Sequence, residues 1–226
     1  KENLTAYSFI APNFIGFAIF TLFPMLFAMI LAFMNWDGAN PITFVGMSNF
    51  KRLLTDETFK IALFNTFYYA IGTVPITLVC SLGLALLLNK SFMGRNIFRA
   101  IFFFPYVASL VAVAVVWNMI FHPTMGPVNE FLRTLGVINP PKWAASTKWA
   151  MPTGIMASVW KNVGYYMIIY LAGLQGIPLH LYEAAEIDGA TRWQRITKIL
   201  IPLVRPTTLY LTIINIIAVR KIFVVI

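Results

Sequence analysis

The feature that most constrains this chain is an apolar run over residues 61–89 that contains no Asp, Glu, Lys, Arg or His. The hydrocarbon core of a bilayer is about 30 Å thick, so a helix needs about 20 apolar residues to cross it. A water-soluble fold would have to bury the whole run. The composition agrees, because 59% of the residues are hydrophobic and only 11% are charged, against about 25% charged residues in soluble domains. The sequence therefore predicts a membrane protein.

Other apolar runs of comparable length predict an all-α, polytopic transmembrane helical bundle. The expected spans cover residues 10–36, 61–89, 100–121 and 151–177, and a fifth begins at Thr207. The first run contains Pro12 and Pro24 and lacks a small-residue cleavage motif, which predicts a retained span rather than a signal peptide. The sequence ends in apolar residues, which favours the interpretation that a sixth span is missing.

The net charge of +9 raises the question of nucleic acid as a partner. The basic residues lie mainly in the short segments between apolar runs, where Lys and Arg contact anionic head groups and hold loops on one side of a bilayer. We therefore expect a lipid bilayer and no nucleic acid as the partner. The single cysteine, Cys80, lies inside an apolar run, so we expect neither a disulfide framework nor a metal site.

One segment, residues 179–205, is polar where its surroundings are apolar. Good helix formers occupy residues 179–188, Gly189 permits a turn that a side chain would resist, and a second helix is expected over 191–200. Pro202 is expected to end that second helix. The segment therefore predicts a compact knob of two short helices, exposed to water between two spans.

The first of these helices carries the residues that we expect to contact another protein. Ala184 and Ala185 are small and lie beside Glu183, so a partner can approach closely and offer basic groups to the carboxylate. Gly189 is the expected hinge, and Asp188 is the expected local cap or anchor.

Glu183-Ala-Ala, Asp188-Gly-Ala and Ile201-Pro resemble the EAA loop of permease subunits in binding-protein-dependent ABC importers. The name EAA loop is used below for residues 179–205. Neighbouring residues 171–178 and 44–50 resemble the carbohydrate branch, which includes maltose-type and glycerol-phosphate-type importers. The similarity extends from about the first loop to the end of the EAA loop, and Ile196 departs from it by standing where the family often has an aromatic residue.

The resemblance implies a type I importer permease in which residues 1–226 form a single transmembrane domain, located in the cytoplasmic (inner) membrane of a bacterium. Its EAA loop would be the coupling helix that docks in a cytoplasmic ATPase subunit. The implied partners are a second homologous permease subunit, two ATPase subunits that bind ATP and Mg, and an external solute-binding protein. No cofactor and no enzyme activity are expected of this chain itself, because it has no phosphate-cradling Gly-Lys-Ser/Thr loop.

The fourth expected span carries the candidate solute path. Sugars present hydroxyls to polar side chains and flat C–H faces to aromatic rings, so a sugar path should mix both. The candidates are Asn162, Tyr166 and Tyr170 on one helical stripe and Lys161 and Tyr165 on the next. An ionisable residue within a span is a functional candidate. The alternative is that the tyrosines form an interfacial belt and Lys161 extends to the membrane surface.

Other classes of membrane protein fit the sequence less well. A self-sufficient secondary carrier has no use for an EAA loop, and a membrane enzyme needs clustered catalytic side chains at span ends, which the sequence lacks. A membrane scaffold predicts that changing Glu183 leaves transport unaffected. The sequence leaves open whether the solute is a disaccharide, an oligosaccharide, a polyol or a glycerol phosphate ester.

Overall fold

The computed structural model describes the backbone of residues 2–222 and the side chains of residues 5–219. Within that part, helices predominate, and the only strands are an antiparallel pair, β1 (Met34–Asn35) and β2 (Thr43–Phe44). The helices in chain order are α1 (Glu2–Phe17), α2 (Phe23–Leu31), α3 (Ser48–Thr55), α4 (Glu57–Leu88), α5 (Arg95–Val107), α6 (Leu110–Ile120), α7 (Pro127–Thr134), α8 (Thr147–Gln175), α9 (Leu179–Ile187), α10 (Arg192–Arg195), α11 (Ile201–Leu203) and α12 (Arg205–Ile222). Short π-helical turns occupy Ala18–Leu22 and Ile196–Leu200, and a 3₁₀ turn occupies Trp143–Ala145.

The chain divides into two compact units, one up to Leu63 and one from Phe64 onward. In the first unit, α1, the π-helical turn and α2 form the first candidate span, Thr5–Leu31. The first span was expected to end at residue 36, whereas the helix ends five residues earlier, at Leu31. The pairing of β1 with β2 follows shortly after this helix.

A tight turn between β1 and β2 explains why the first span stops there. The Asp37 carboxylate accepts hydrogen bonds from the backbone N–H groups of Asn40 at 2.8 Å and Ala39 at 3.0 Å. These bonds stabilise the charged form, and the bond from Asn40 contributes most to lowering the pKa of Asp37 to about 2. The charged turn therefore marks a boundary with water.

Within the described residues, two helices are long and apolar enough to cross a membrane, Thr5–Leu31 and Glu57–Leu88. The number rises to four if each of two bent pairs is one span: Arg95–Val107 with Leu110–Ile120, bent by 99°, and Arg192–Leu203 with Arg205–Val219, bent by 61°. The third expected span, 100–121, is thus a broken helix rather than a continuous one. The fifth, from Thr207, lies in the bent pair that begins in the EAA loop.

The fourth expected span is α8, a continuous helix of 29 residues. It is long enough to cross the hydrocarbon core. Its mean hydropathy is nevertheless lower than that of the candidate spans named above, because it contains Lys161, Asn162 and several tyrosines. A span of this kind is tolerated when its polar side chains face protein rather than lipid.

The core of the second unit is built around α8. Tyr166, Met167, Tyr170 and Leu174 of α8 are almost completely buried. They pack in one cluster with residues of α4 and α12, which are Val74, Leu78, Ala85, Leu88, Leu211 and Val219. The Ser81 hydroxyl of α4 donates a hydrogen bond to the Val163 carbonyl of α8 at 2.9 Å. α8 is therefore the central helix of this cluster.

A compact loop precedes α8 and is organised by Asn129, which is completely buried. Its Nδ2 donates to the carbonyls of Pro123 at 2.8 Å and Pro141 at 2.9 Å, and its Oδ1 accepts from Trp143 Nε1 at 2.6 Å. The Trp143 ring also contacts Trp149 of α8, with ring centroids 5.7 Å apart. The loop is therefore fastened to the first turn of α8.

Candidate transport site and coupling loop

The EAA loop is a pair of helices joined by a left-handed glycine. α9 ends at Ile187 and Gly189 has a φ of +70°, a conformation that a residue with a Cβ resists. The predicted turn at Gly189 is therefore present, and its role as a hinge stays a prediction. The second helix runs from Arg192 to Leu203, so the prediction that Pro202 ends it is wrong. A π-helical turn over Ile196–Leu200 precedes Pro202, and Pro202 lies in the first turn of α11, where its missing N–H is tolerated.

The side-chain cap of the second helix comes from Thr191 rather than from Asp188. The Gln194 backbone N–H donates to Thr191 Oγ1 at 3.3 Å, and Gln194 Oε1 accepts from the Thr191 backbone N–H at 2.7 Å. This reciprocal arrangement is a capping box. Asp188 instead follows the end of α9, and its backbone N–H donates to the Ala184 carbonyl at 2.9 Å. The spacing Thr-x-x-Gln was a sequence signal for the true cap.

The two alanines of the EAA loop face different ways. Glu183 and Ala184 are exposed, whereas Ala185 is only 5% exposed and packs inward. Of the predicted close-approach surface, therefore, only Ala184 is available to a partner in this structure. The sequence reasoning also missed two exposed apolar side chains on the same knob, Ile187 at 87% and Trp193 at 72% exposure.

The EAA loop is fastened to the helical bundle through Tyr182. The Tyr182 side chain packs against the buried cluster together with Ile177 and Ile196. Burial raises the pKa of Tyr182, and a side-chain hydrogen bond with Asn89, at the end of α4, opposes that shift. Within the loop, Arg195 Nη1 lies 3.8 Å from Glu186 Oε2, an exposed pair that contributes little stability. Tyr182 therefore links the EAA loop to the buried cluster and to the end of α4.

The stripe of candidate solute residues on α8 faces the interior of this chain. Tyr166 is 3% exposed and Tyr170 is 1% exposed. The Tyr170 hydroxyl donates to Thr208 Oγ1 of α12 at 3.1 Å, and Asn162 Nδ2 donates to the Ser158 carbonyl at 2.8 Å. In this structure Tyr166 and Tyr170 thus pack the core, while Asn162 is half-buried.

Lys161 contacts the break in the third span. Its Nζ donates to the carbonyls of Pro105 at 3.0 Å, Tyr106 at 3.1 Å and Ala108 at 2.7 Å. In this structure the Lys161 ammonium group therefore bonds to the backbone at that break, and its depth in the bilayer stays a prediction. Beside it, the rings of Tyr165 and Tyr106 stack with centroids 4.4 Å apart. These contacts join residues more than fifty positions apart, and no local pattern in the sequence predicts them.

The comparisons with known proteins agree with this arrangement. The family described as "Binding-protein-dependent transport system inner membrane component" matches residues 77–226. The chain belongs to this family. Its predicted resemblance and its all-α, membrane-spanning fold are confirmed, and the chain is a permease subunit of an ATP-driven importer.

Several curated relatives align along most of this permease. A probable ABC transporter permease protein, YesP of Bacillus subtilis, is 38% identical over 208 residues, covering 91% of this chain and 67% of the relative. The lactose transport system permease protein LacF of Rhizobium radiobacter is 35% identical over 223 residues, covering 98% and 74%. The sn-glycerol-3-phosphate transport system permease protein UgpA of Agrobacterium fabrum is 32% identical over 219 residues, covering 95% and 73%.

Solved structures with the same fold include a bacterial ABC transporter involved in the import of the acidic polysaccharide alginate. Its matching chain superposes with a TM-score of 0.82 at 30% identity, covering 95% of this permease and 73% of that chain. The alginate transporter in complex with an alginate pentasaccharide-bound periplasmic protein gives the same TM-score and identity, covering 95% and 72%.

Proposed function

We propose that this permease forms one half of the membrane pathway for a sugar or oligosaccharide and couples it to a cytoplasmic ATPase through the EAA loop. The coupling proposal rests on one observation, which is that the first helix of that loop, α9, has one face exposed and another packed on the core cluster. Glu183 and Ala184 are exposed for a partner, while Tyr182 of the same helix packs against the core cluster. A force applied to the exposed face of α9 is therefore delivered to the bundle.

The proposed partners follow from the family. A second homologous permease subunit completes the pathway, two ATPase subunits bind ATP and Mg, and an external solute-binding protein delivers the solute. The complex of the alginate transporter with a periplasmic protein supports the last of these partners. We propose the inner membrane of a bacterium as the location, and we propose that ATP hydrolysis belongs to the partner subunits rather than to this chain.

The sugar class rests on the relatives and on α8. Relatives are named for lactose, arabinooligosaccharides and sn-glycerol-3-phosphate. On α8, Trp160 is 44% exposed, so its ring offers a face on which a sugar can stack, while Tyr165 is half-buried and its ring is stacked on Tyr106. Asn162, also half-buried, supplies a polar group for a hydroxyl. Lys161, Tyr166 and Tyr170 belong to the proposed path as residues that hold Trp160, Asn162 and Tyr165 in place.

The test is ATP hydrolysis by the complete transporter in liposomes, with and without the external binding protein. Glu183→Ala is expected to abolish the stimulation by binding protein together with solute uptake, while the permease subunits still assemble. The control is Glu57→Ala, which removes an exposed carboxylate far along the chain from the EAA loop. Unchanged stimulation and uptake in Glu183→Ala would show that the loop does not couple ATP hydrolysis to transport.

The same vesicles test the solute class. Radiolabelled lactose, an arabinooligosaccharide and sn-glycerol-3-phosphate are offered in turn to the unmodified transporter. ATP-dependent uptake of either sugar supports the proposal. Uptake of the phosphate ester alone contradicts the sugar assignment.

A further inference from the structure

The third span is broken where it would be expected to cross the bilayer. α5 ends at Val107 and α6 begins at Leu110, and their axes differ by 99°. Between them Ala108 and Ser109 are extended, with ψ angles of 144° and 135°. The end of a helix leaves carbonyl groups without an intrahelical partner. Within a membrane such groups must be satisfied by protein or by a water-filled cavity.

Lys161 satisfies the carbonyls at this break. An ammonium group has three donors, and Lys161 Nζ uses them on the three carbonyls of Pro105, Tyr106 and Ala108, all within 3.1 Å. A positive charge at the C-terminus of α5 is also favoured by the helix dipole. The charge of Lys161 is therefore paired with the bent backbone rather than with an acidic side chain.

The two halves of the broken span, α5 and α6, differ in how extensively they pack against α8. Of all pairs of elements in the described chain, α5 and α8 pack against each other most extensively. A Cβ at Gly164 of α8 would lie 1.8 Å from the Phe102 carbonyl oxygen of α5, so the two backbones are in direct contact. α6 packs far less extensively against α8, and its contacts with α8 include a tilted ring pair, Trp117 and Trp160, with centroids 5.9 Å apart. Most large apolar side chains of α6 are exposed.

We propose that Lys161 is a positioning residue for transport, whose ammonium group holds the third span bent while α6 moves about residues 108 and 109. Straightening the span would return the carbonyls to a helix and leave the ammonium group unpaired away from water, which is unfavourable. Lys161 therefore stabilises the bent conformation. The role is exerted through the backbone and needs no contact with the solute; it rests on the proposed importer function.

The experiment measures the distance between α6 and α8 in the complete transporter in nanodiscs. Spin labels are placed on Val111→Cys and Ile168→Cys, both exposed positions, in a Cys80→Ser background. Lys161→Met, which keeps the length of the side chain and removes the charge, is compared with Lys161→Arg, which keeps a charged donor. Lys148→Met is the matched control, because Lys148 is an exposed lysine on the same helix.

We expect Lys161→Met to move the population between distance peaks by about tenfold, the scale of lost charge-assisted hydrogen bonds. Lys161→Arg and Lys148→Met are expected to keep the distribution of the unmodified protein. An unchanged distribution in Lys161→Met overturns the proposal, as does a Lys161→Arg distribution equal to that of Lys161→Met. If Lys161→Met does not assemble, Lys161→Gln, which removes the charge and keeps two donors, is measured with the same two criteria.

A second measurement distinguishes a positioning role from a merely structural one. Because Lys161 stabilises one conformation, its loss is expected to change the ratio of ATP hydrolysis with and without binding protein by about tenfold, whereas general destabilisation lowers hydrolysis equally under both conditions. Hydrolysis that falls by the same factor with and without binding protein overturns the proposal. Failure of the proposed function is recognised separately, because the unmodified transporter would then show no stimulation by binding protein whatever the spin-label distances.

Discussion

Replacing Gly164 with alanine should separate two helices that are in backbone contact. Built on the backbone at Gly164, a Cβ would lie 1.8 Å from the Phe102 carbonyl oxygen, 2.4 Å from the Phe102 carbonyl carbon and 2.8 Å from the Phe103 nitrogen. Ordinary contacts of a Cβ begin near 3.4 Å. All three atoms belong to the backbone of α5, so no side-chain rotation relieves the overlap, and α5 and α8 must move apart by roughly 1.5 Å in a close-packed interior.

The size of the effect follows from two opposing terms. An alanine in a helix interior is more favourable than a glycine by about 1 kcal/mol. Overpacking a well-packed core costs about 1–3 kcal/mol, occasionally more, and contact between two backbones places this site at the upper end. We therefore expect Gly164→Ala to lower the free energy of unfolding by about 2 kcal/mol.

Gly154 provides a matched control on the same helix. Its Cβ would meet only Tyr69 Cε2, at 3.7 Å, which is an ordinary contact. Gly154→Ala is thus expected to be neutral or stabilising by up to about 1 kcal/mol. The assay is unfolding of the purified permease in mixed micelles by SDS titration, followed by circular dichroism. Equal midpoints for Gly164→Ala and Gly154→Ala would refute the close approach of α5 and α8.

Three further substitutions test the loops. Asn129→Leu leaves the Pro141 carbonyl and the Trp143 indole N–H unpaired and removes one of the two donors to the Pro123 carbonyl, so we expect a loss of about 3 kcal/mol in loop stability, measured as faster proteolysis within residues 122–146 than in the exposed control Asn139→Leu. Gly189→Ala should destabilise the EAA loop by about 1 kcal/mol because its φ is positive, whereas Gly189→Asn should be tolerated; hydrogen exchange of α9 gives the comparison. Thr191→Ala removes the capping box and should cost about 1 kcal/mol, seen as faster exchange in α10 with α8 unchanged.

The parts of the fold that depend on local composition could be predicted from the sequence. The apolar run of α4 needs only its length and its lack of charge, and the prediction of 61–89 differs from Glu57–Leu88 by a few residues at the start. The turn at Gly189 follows from the conformational freedom of glycine. Both features can be predicted without knowing which other parts of the chain pack against them.

The parts that depend on distant contacts could not be predicted. Whether Ala185 faces in or out is decided by how α9 packs on the bundle, and the partner of Lys161 is a backbone break in another helix. Pro202 was expected to end the second helix, but a π-helical turn precedes it and the helix continues to Leu203. The capping box of the second helix, by contrast, has a recognisable sequence signal in Thr191-x-x-Gln194, although only Asp188, which occupies the C-cap position of α9, was predicted as a cap.

Because α8 is one continuous helix, its two ends are rigidly connected. At about 1.5 Å per residue the helix is roughly 43 Å long, and its tightest contact, at Gly164, is off-centre. About 26 Å of helix lie towards the tryptophan-rich loop and about 17 Å towards the EAA loop. If Gly164 is the fulcrum, a displacement at the EAA end reappears at the other end in the opposite direction, enlarged about one and a half times.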